Sequence, residues 1–206
     1  MTKYKKMTAE EALTQFEADP EFVARRAAAE RSVREATERR LRAEQPLVEA
    51  LREVGYRVES VWDLVNTRAR YPSAVPVLLE HLQRAYPPDV LAGIARALAI
   101  PEARFAWPLL RKLYMEASDA APYELKSAFA CALSGAADDE VLDDMADLVR
   151  DTAHGASRIL LLANLASSNR RDMHDVLRAA IDDPVLTKEA KFLVRRLRER
   201  SRKPRT

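Results

Sequence analysis

An all-α chain of paired helices is what three observations on this sequence predict. First, Leu98, Leu133, Leu165 and Leu197 recur at intervals of 35, 32 and 32 residues. Each has an apolar residue four positions earlier: Ile94, Phe129, Leu161 and Leu193. A parallel register, Leu78, Leu110, Leu142 and Leu177, is spaced by 32, 32 and 35. A period of this length with two helical patterns per unit marks stacked helix pairs, an α-solenoid. Second, only 4 glycines and long Leu/Ala/Arg/Glu stretches suit helices rather than sheets. Third, polar–apolar alternation of period two is essentially absent. With 48% hydrophobic and 32% charged residues, there is apolar surface enough for a sizeable core.

The elements follow in order. Thr8-Ala9-Glu10-Glu11 reads as a capping box opening a short helix that stops before Pro20. Glu21 to Glu44 reads as one long charged helix, with Glu21/Arg25, Glu30/Arg34, Glu35/Arg39 and Glu38/Arg42 in the favoured i, i+4 order. Its apolar stripe (Phe22, Ala29, Val33, Ala36, Leu41) is thin. The expectation is a solvated or loosely docked helix, with a coiled-coil contact as the alternative. Pro46 to Val54 forms the next helix, ended by Gly55 as a left-handed stop. Ser60 then caps a short helix holding Val61, Trp62, Leu64 and Val65. Residues 1–70 are thus expected to form an N-terminal helical extension and cap.

Residues 71–200 divide into four helix pairs from start and stop signals. They are Pro72–Ala85 with Pro88–Ala99, Ala103–Ala117 with Pro122–Ser134, Asp138–Asp151 with Gly155–Ala166, and Arg170–Asp182 with Pro184–Arg200. Prolines 72, 88, 122 and 184 suit first-turn positions, where a missing N–H costs nothing. Pro76 and Pro108, 32 residues apart, fall in equivalent first turns. Asp138 and Asp139 suit a helix start through capping and the dipole. The second helices of the middle units, Ala128–Leu133 and Ile159–Leu165, are apolar nearly all round and are expected at the centre of the array. Residues 201–206 read as a basic disordered tail.

The net charge of +2 conceals an asymmetry. Residues 195–206 carry seven Arg/Lys against Glu199, a net of +6, and Lys3, Lys5 and Lys6 add +3 at the other end, leaving −7 on residues 8–194. Cys131 is the sole cysteine, flanked by Ala130 and Ala132, so no disulfide can form within one chain; a buried small hydrophobe is expected. The basic start leads into Glu10 and Glu11 rather than an apolar run, so no signal peptide is expected. The Ile159–Ala163 run is far too short to span a bilayer. These points predict a cytoplasmic protein with no membrane partner.

The chain resembles the HEAT-repeat family in its short bacterial form, over about residues 72–200. The resemblance rests on paired helices at a 32–35-residue period, the early first-helix prolines Pro76 and Pro108, and the Leu/Ala ridge of the second helices. Units three and four lack that proline. The resemblance implies a right-handed superhelix of antiparallel helix pairs whose concave face binds proteins or, in some members, nucleic acid. Some HEAT-like folds are alkylpurine DNA glycosylases that use tryptophans and an aspartate. Here Trp107 is followed four residues later by Arg111, and Trp62 lies outside the repeats, so that constellation is not matched. Trp107, beside Phe105, is expected to pack between repeats.

No catalytic constellation emerges. His81, His154 and His174 form no zinc-binding pair and are expected at surface or capping positions. Asp143, Asp147 and Asp151 share one helix face, expected to be a solvated acidic surface. Glycine-rich phosphate loops and nucleophile elbows are absent. The expectation is a non-enzymatic binding protein, an adaptor or inhibitor, needing no cofactor and no metal, monomeric or weakly dimeric. Arg96, Lys126, Arg158 and Lys191, along the second-helix ridge, are the candidate partner contacts. The alternative is nucleic-acid binding, with Arg200, Arg202, Lys203 and Arg205 as phosphate contacts.

Overall fold

The computed structural model describes residues 19–118, 120 and 124–202, and these are all-helical, with no strand among them. The expected helix over residues 8–18, Pro122 and the tail from Lys203 lie outside the described residues. The chain forms two compact units, residues 1–42 and 43–206.

In the first unit, helix α1 (Pro20–Glu53) begins, and its residues up to Arg42 are exposed at nearly every position. Ion pairs Arg26–Glu30, Glu35–Arg39 and Glu38–Arg42 run along it. This agrees with a solvated helix; such exposed pairs add only a few tenths of a kcal/mol each.

The expected break before Pro46 is absent: α1 runs through it to Glu53. An interior proline costs about 3 kcal/mol, chiefly the lost bond to the carbonyl four residues back. Leu47, Val48 and Leu51 are buried in the core of the second unit. Each contributes about 1.5–3 kcal/mol, so their sum exceeds the proline penalty. Pro46 itself is exposed. The helix ends as predicted at Gly55, φ +95°. The Gly55 N–H donates to Arg52 O (3.0 Å) and the Tyr56 N–H to Leu51 O (2.9 Å), a Schellman closure.

Ser60 caps α2 (Val61–Asn66), with Asp63 completing a capping box. The pairs follow: α3 (Ala74–Leu82) with α4 (Pro88–Ala97), then α5 (Trp107–Glu116) with α6 (Leu125–Ala136). Next come α7 (Leu142–Arg150) with α8 (Leu162–Ser167), and α9 (Arg171–Ala179) with α10 (Thr187–Arg202). A 3-10 segment (Pro101–Ala106) precedes α5, and another (Thr152–Leu161) precedes α8. The principal contacts between pairs join alternate helices: α2 on α4, α4 on α6, α6 on the Thr152–Leu161 segment, and α8 on α10.

The leucine registers are what these contacts bury. Leu78, Leu110, Leu142 and Leu177 are all buried, as are Leu98, Leu133 and Leu165, and Leu197 packs partly buried against the same core. Pro76 and Pro108 lie in the first turns of α3 and α5, as predicted.

A further expectation needs correction. Gly155 was expected to start a helix; it adopts φ 51°, ψ −139°, which interrupts the Thr152–Leu161 turns and shortens α8 to six residues. A residue at positive φ cannot sit inside a right-handed helix, and glycine is the residue that tolerates it. Helix α10 is described through Arg202.

Helix α4 lies between α2 and α6 at contacts that only small residues allow. A Cβ on Gly135 of α6 would fall 2.2 Å from the Ala99 carbonyl carbon and oxygen. At Gly93 of α4 it would fall 2.6 Å from Val61 Cγ1. Intrinsic propensity favours Gly→Ala in a helix by about 1 kcal/mol. At Gly135 the obstruction is backbone and cannot rotate away, so overpacking of about 1–3 kcal/mol wins. Gly135→Ala is therefore expected to lower the thermal midpoint by circular dichroism; an unchanged or raised midpoint contradicts the close crossing. Leu133→Asp and Leu161→Asp, at fully buried positions, are expected to abolish the cooperative helical melt.

Candidate functional site

The four ridge cations occupy unlike environments. Arg158 is 2% exposed. Its Nε donates to Gly155 O (2.9 Å), and its Nη1 donates to Val149 O (2.9 Å) and Asp183 Oδ2 (2.8 Å). That guanidinium closes the loop made by the left-handed Gly155 and ties it to the turn before α10. The bond from Arg158 holds the Asp183 carboxyl below its usual range. Lys126 is also buried, its Nζ 5.6 Å from the centre of the Tyr114 ring. Lys191 is exposed on α10. Arg96 borders a groove.

That groove, about 630 Å³, is lined by the segment Leu64–Tyr71, the chain from Ala99 to Glu102, Arg96 and Cys131. It is built from the bottom up by three tethers. A carboxylate of α1, Glu44, is fully buried and accepts from Ser60 Oγ (3.0 Å) and the Val61 N–H, which fixes the start of α2. The Tyr71 hydroxyl donates to Ala97 O (2.9 Å), pinning the segment after α2 to the end of α4. Arg70 donates to Glu102 Oε1 from Nε (2.8 Å) and Nη2 (2.6 Å), joining equivalent positions 32 residues apart at the entries to units one and two. That pairing holds the Glu102 carboxyl below its ordinary range.

Arg96 lies one turn beyond Gly93, and its guanidinium carbon is 5.6 Å from the Trp62 ring centre. Its nearest acid is Glu124, at 3.8 Å, beyond hydrogen-bond distance. Glu124 is itself the one described non-glycine residue at positive φ (51°), at the start of α6. Arg68 makes no hydrogen bond or ion pair among the described residues and is exposed. Sequence reasoning missed Arg68 and the groove, because Arg68 stands in the linker between cap and repeats. Cys131, expected to be fully buried, is half-buried instead and forms part of this lining. Burial still pushes its thiol pKa up, with Glu124 adding to the rise and Arg96 opposing it.

A second polar cluster is internal. The hydroxyls of Tyr114 and Ser157 lie 2.9 Å apart, Ser157 Oγ donates to His154 O (2.6 Å), and the His154 and Tyr114 rings meet at 4.8 Å with their planes tilted by 47°. The Ser157 proton is directed at a carbonyl, not at the imidazole, so the pair lacks the nucleophile–base geometry. His154 and His81 are buried, contrary to the surface or capping expectation. His81 Nδ1 meets the Tyr86 hydroxyl at 2.7 Å, and burial lowers its pKa, with Arg84 adding to the fall. His174 does cap: its Nε2 meets Ser168 O at 2.8 Å at the end of α8.

The acidic face of α7 is partly paired. Arg170 Nη2 donates to Asp143 Oδ1 (2.6 Å) and to Asp172 Oδ2 (2.6 Å), while Arg150 holds Asp147 at 2.9 Å. Asp151 caps the next turn through Ala153 N–H. Among the described residues no three His, Cys, Asp or Glu side chains are placed to share a metal ion. Trp107 is buried, whereas Phe105 is 67% exposed. Arg200 is exposed near the end of α10, beside Arg196 in a smaller cleft between α8 and α10. Nothing is described of the Arg202 side chain, and Lys203 and Arg205 lie outside the described residues. Also among the described residues, no helix is long and apolar enough to cross a membrane.

No family model, no curated protein and no solved structure matches the chain.

Removing Arg158 leaves Asp183 unpaired and two carbonyls without their donor, so Arg158→Ala is expected to cost about 3–5 kcal/mol by denaturant melts. The pair also sets a pH dependence. A depressed folded-state pKa stabilises the fold above the unfolded carboxylate value of about 4 and loses that share as pH falls through the folded value. The midpoint gap between wild type and Asp183→Asn should therefore be widest near neutrality and close in acid. A gap constant with pH contradicts the assignment.

Proposed function

We propose that this chain is a non-enzymatic binding protein, a HEAT-like α-α solenoid of four helix pairs that acts as an adaptor or inhibitor of a protein partner. The solenoid reading is supported by the two buried leucine registers and by packing that runs from each pair to the next. The observation that carries the binding role is the groove bordered by Arg96, whose acid Glu124 stands 3.8 Å away, and by Arg68, which has neither hydrogen bond nor ion pair among the described residues. Buried, fully bonded guanidiniums contribute structure, as Arg158 does; an unpaired one beside apolar walls, as Arg68 is, is suited to a partner's acids. Of the four ridge residues, Arg96 and Lys191 are the ones with solvent-facing charge. The compartment proposed is the bacterial cytoplasm, and the chain acts as a monomer or weak dimer.

A second reading, nucleic-acid binding, is favoured by the outer face of α10. There the exposed Phe192 lies 5.8 Å and 5.7 Å from the guanidinium carbons of Arg195 and Arg196, with Arg200 further along. Arginines around an exposed ring suit phosphates beside a stacked base.

Affinity capture of the tagged full chain from native lysate, with and without nuclease, separates the two. The first reading expects a near-stoichiometric protein band that survives nuclease and falls at least about tenfold with Arg96→Glu/Lys191→Glu, while the helical spectrum is unchanged. Bands that vanish with nuclease, and binding that collapses between low and physiological salt, overturn it in favour of the second.

A further inference from the structure

Deepening the binding-protein reading, on which it rests, we propose that the groove beside α2 and α4 takes a short segment of a partner protein in which acidic side chains alternate with apolar ones. The charge balance of the lining points to the acid. Arg70 is satisfied by Glu102 and Arg96 stands 3.8 Å from Glu124, so Arg68 is the guanidinium of the lining that has no acid among the described residues. The Arg96 guanidinium carbon lies 5.6 Å from the Trp62 ring centre. A guanidinium offers the forked, two-bond pairing that carboxylates accept. Arg68 lies on the exposed segment that forms one side of the groove.

The walls point to the apolar component. Leu64, Val65, Ile100 and Pro101 contribute to a lining in which the only aromatic ring is Tyr71, buried and bonded through its hydroxyl. A nucleic-acid strand needs rings on which bases stack, and the groove presents none. Leucine-sized side chains gain from these walls what bases do not. The volume, about 630 Å³, is in the range that holds a small ligand or a few residues.

Cys131 makes the proposal measurable. It is the sole cysteine of the chain, lines the groove and is half-buried. A segment seated over it will shield its thiol. The rate at which iodoacetamide alkylates Cys131 in the full-length protein, followed by intact mass at one fixed pH above neutrality, therefore reports occupancy.

The probe is an acetylated, amidated hexapeptide alternating leucine and glutamate. Its comparators are the same peptide with lysine for glutamate, and hexathymidylate. The glutamate peptide should slow alkylation saturably, by at least about fivefold, with no slowing from either comparator. Arg68→Glu should move the half-saturating concentration up by about tenfold or more. Arg68 is exposed and bonded to nothing described, so the helical melt should stay in place; Arg68→Gln serves as a neutral second variant with a smaller shift in the same direction. No protection, equal protection by the lysine peptide, or an unmoved midpoint in both variants overturns the proposal. Protection by hexathymidylate overturns it as well and assigns the groove to phosphates. Lack of protection together with nuclease-resistant capture overturns the acidic–apolar segment and leaves the binding-protein reading standing. Failure of the capture itself strikes that reading instead.

Discussion

The second unit depends on how closely α4 is held between its neighbours. Gly93 admits Val61 and Trp62 from α2, and Gly135 admits the backbone at Ala99 from the end of α4. Two side chains fewer at these crossings bring three helices together, and the consequences extend outward. Trp62, lying against Gly93, becomes the platform for Arg96 one turn later. Ala99 and Ile100, held against α6, become a wall of the groove in which Cys131 takes part. Dense packing makes such contacts bistable rather than elastic, so one added methyl is felt along the whole row.

Polar tethers complete what the leucines begin. Leucine burial is non-directional and fixes neither register nor helix ends. Direction comes from Glu44 at the start of α2, from Arg158 between Gly155 and Asp183, and from the reciprocal bonds of Ser134 and Asn164. Ser134 Oγ donates to Asn164 Oδ1 (2.6 Å), and Asn164 Nδ2 donates to Ser134 O (2.9 Å), one residue from Leu133 and Leu165 of the register. Glu44 and Arg158 are buried and both are hydrogen-bonded, which is the condition under which such groups specify structure rather than weaken it.

Much of this was legible in the sequence, because a period of 32–35 is carried by residues that repeat. The leucine positions, the Ser60 and Gly55 caps and the first-turn prolines Pro76 and Pro108 are local signals, and each appears where expected. What escaped were competitions between local and tertiary terms. Pro46 is a helix breaker by propensity, yet the burial of Leu47, Val48 and Leu51 overrides it. Gly155 offers a helix start or a left-handed turn, and the Arg158 bond to its carbonyl chooses the turn. Arg158 itself reads as a surface cation because its acid, Asp183, lies 25 residues away and no local pattern links the two. The groove was illegible for a similar reason. It joins a linker, a helix end and a cysteine from residues 64 to 131, which only the fold brings together.

Helices α4 and α6 form the cooperative centre of residues 43–202, while α1 up to Arg42 is a solvated helix. Native-state hydrogen exchange measures this directly, since protection rises with the free energy of the opening that exposes each amide. The amides of Ile94–Ala97 and Phe129–Leu133 should exchange only through global unfolding, and those of residues 24–41 should exchange orders of magnitude faster. Exchange of the α6 amides as fast as those of residues 24–41 would contradict the account.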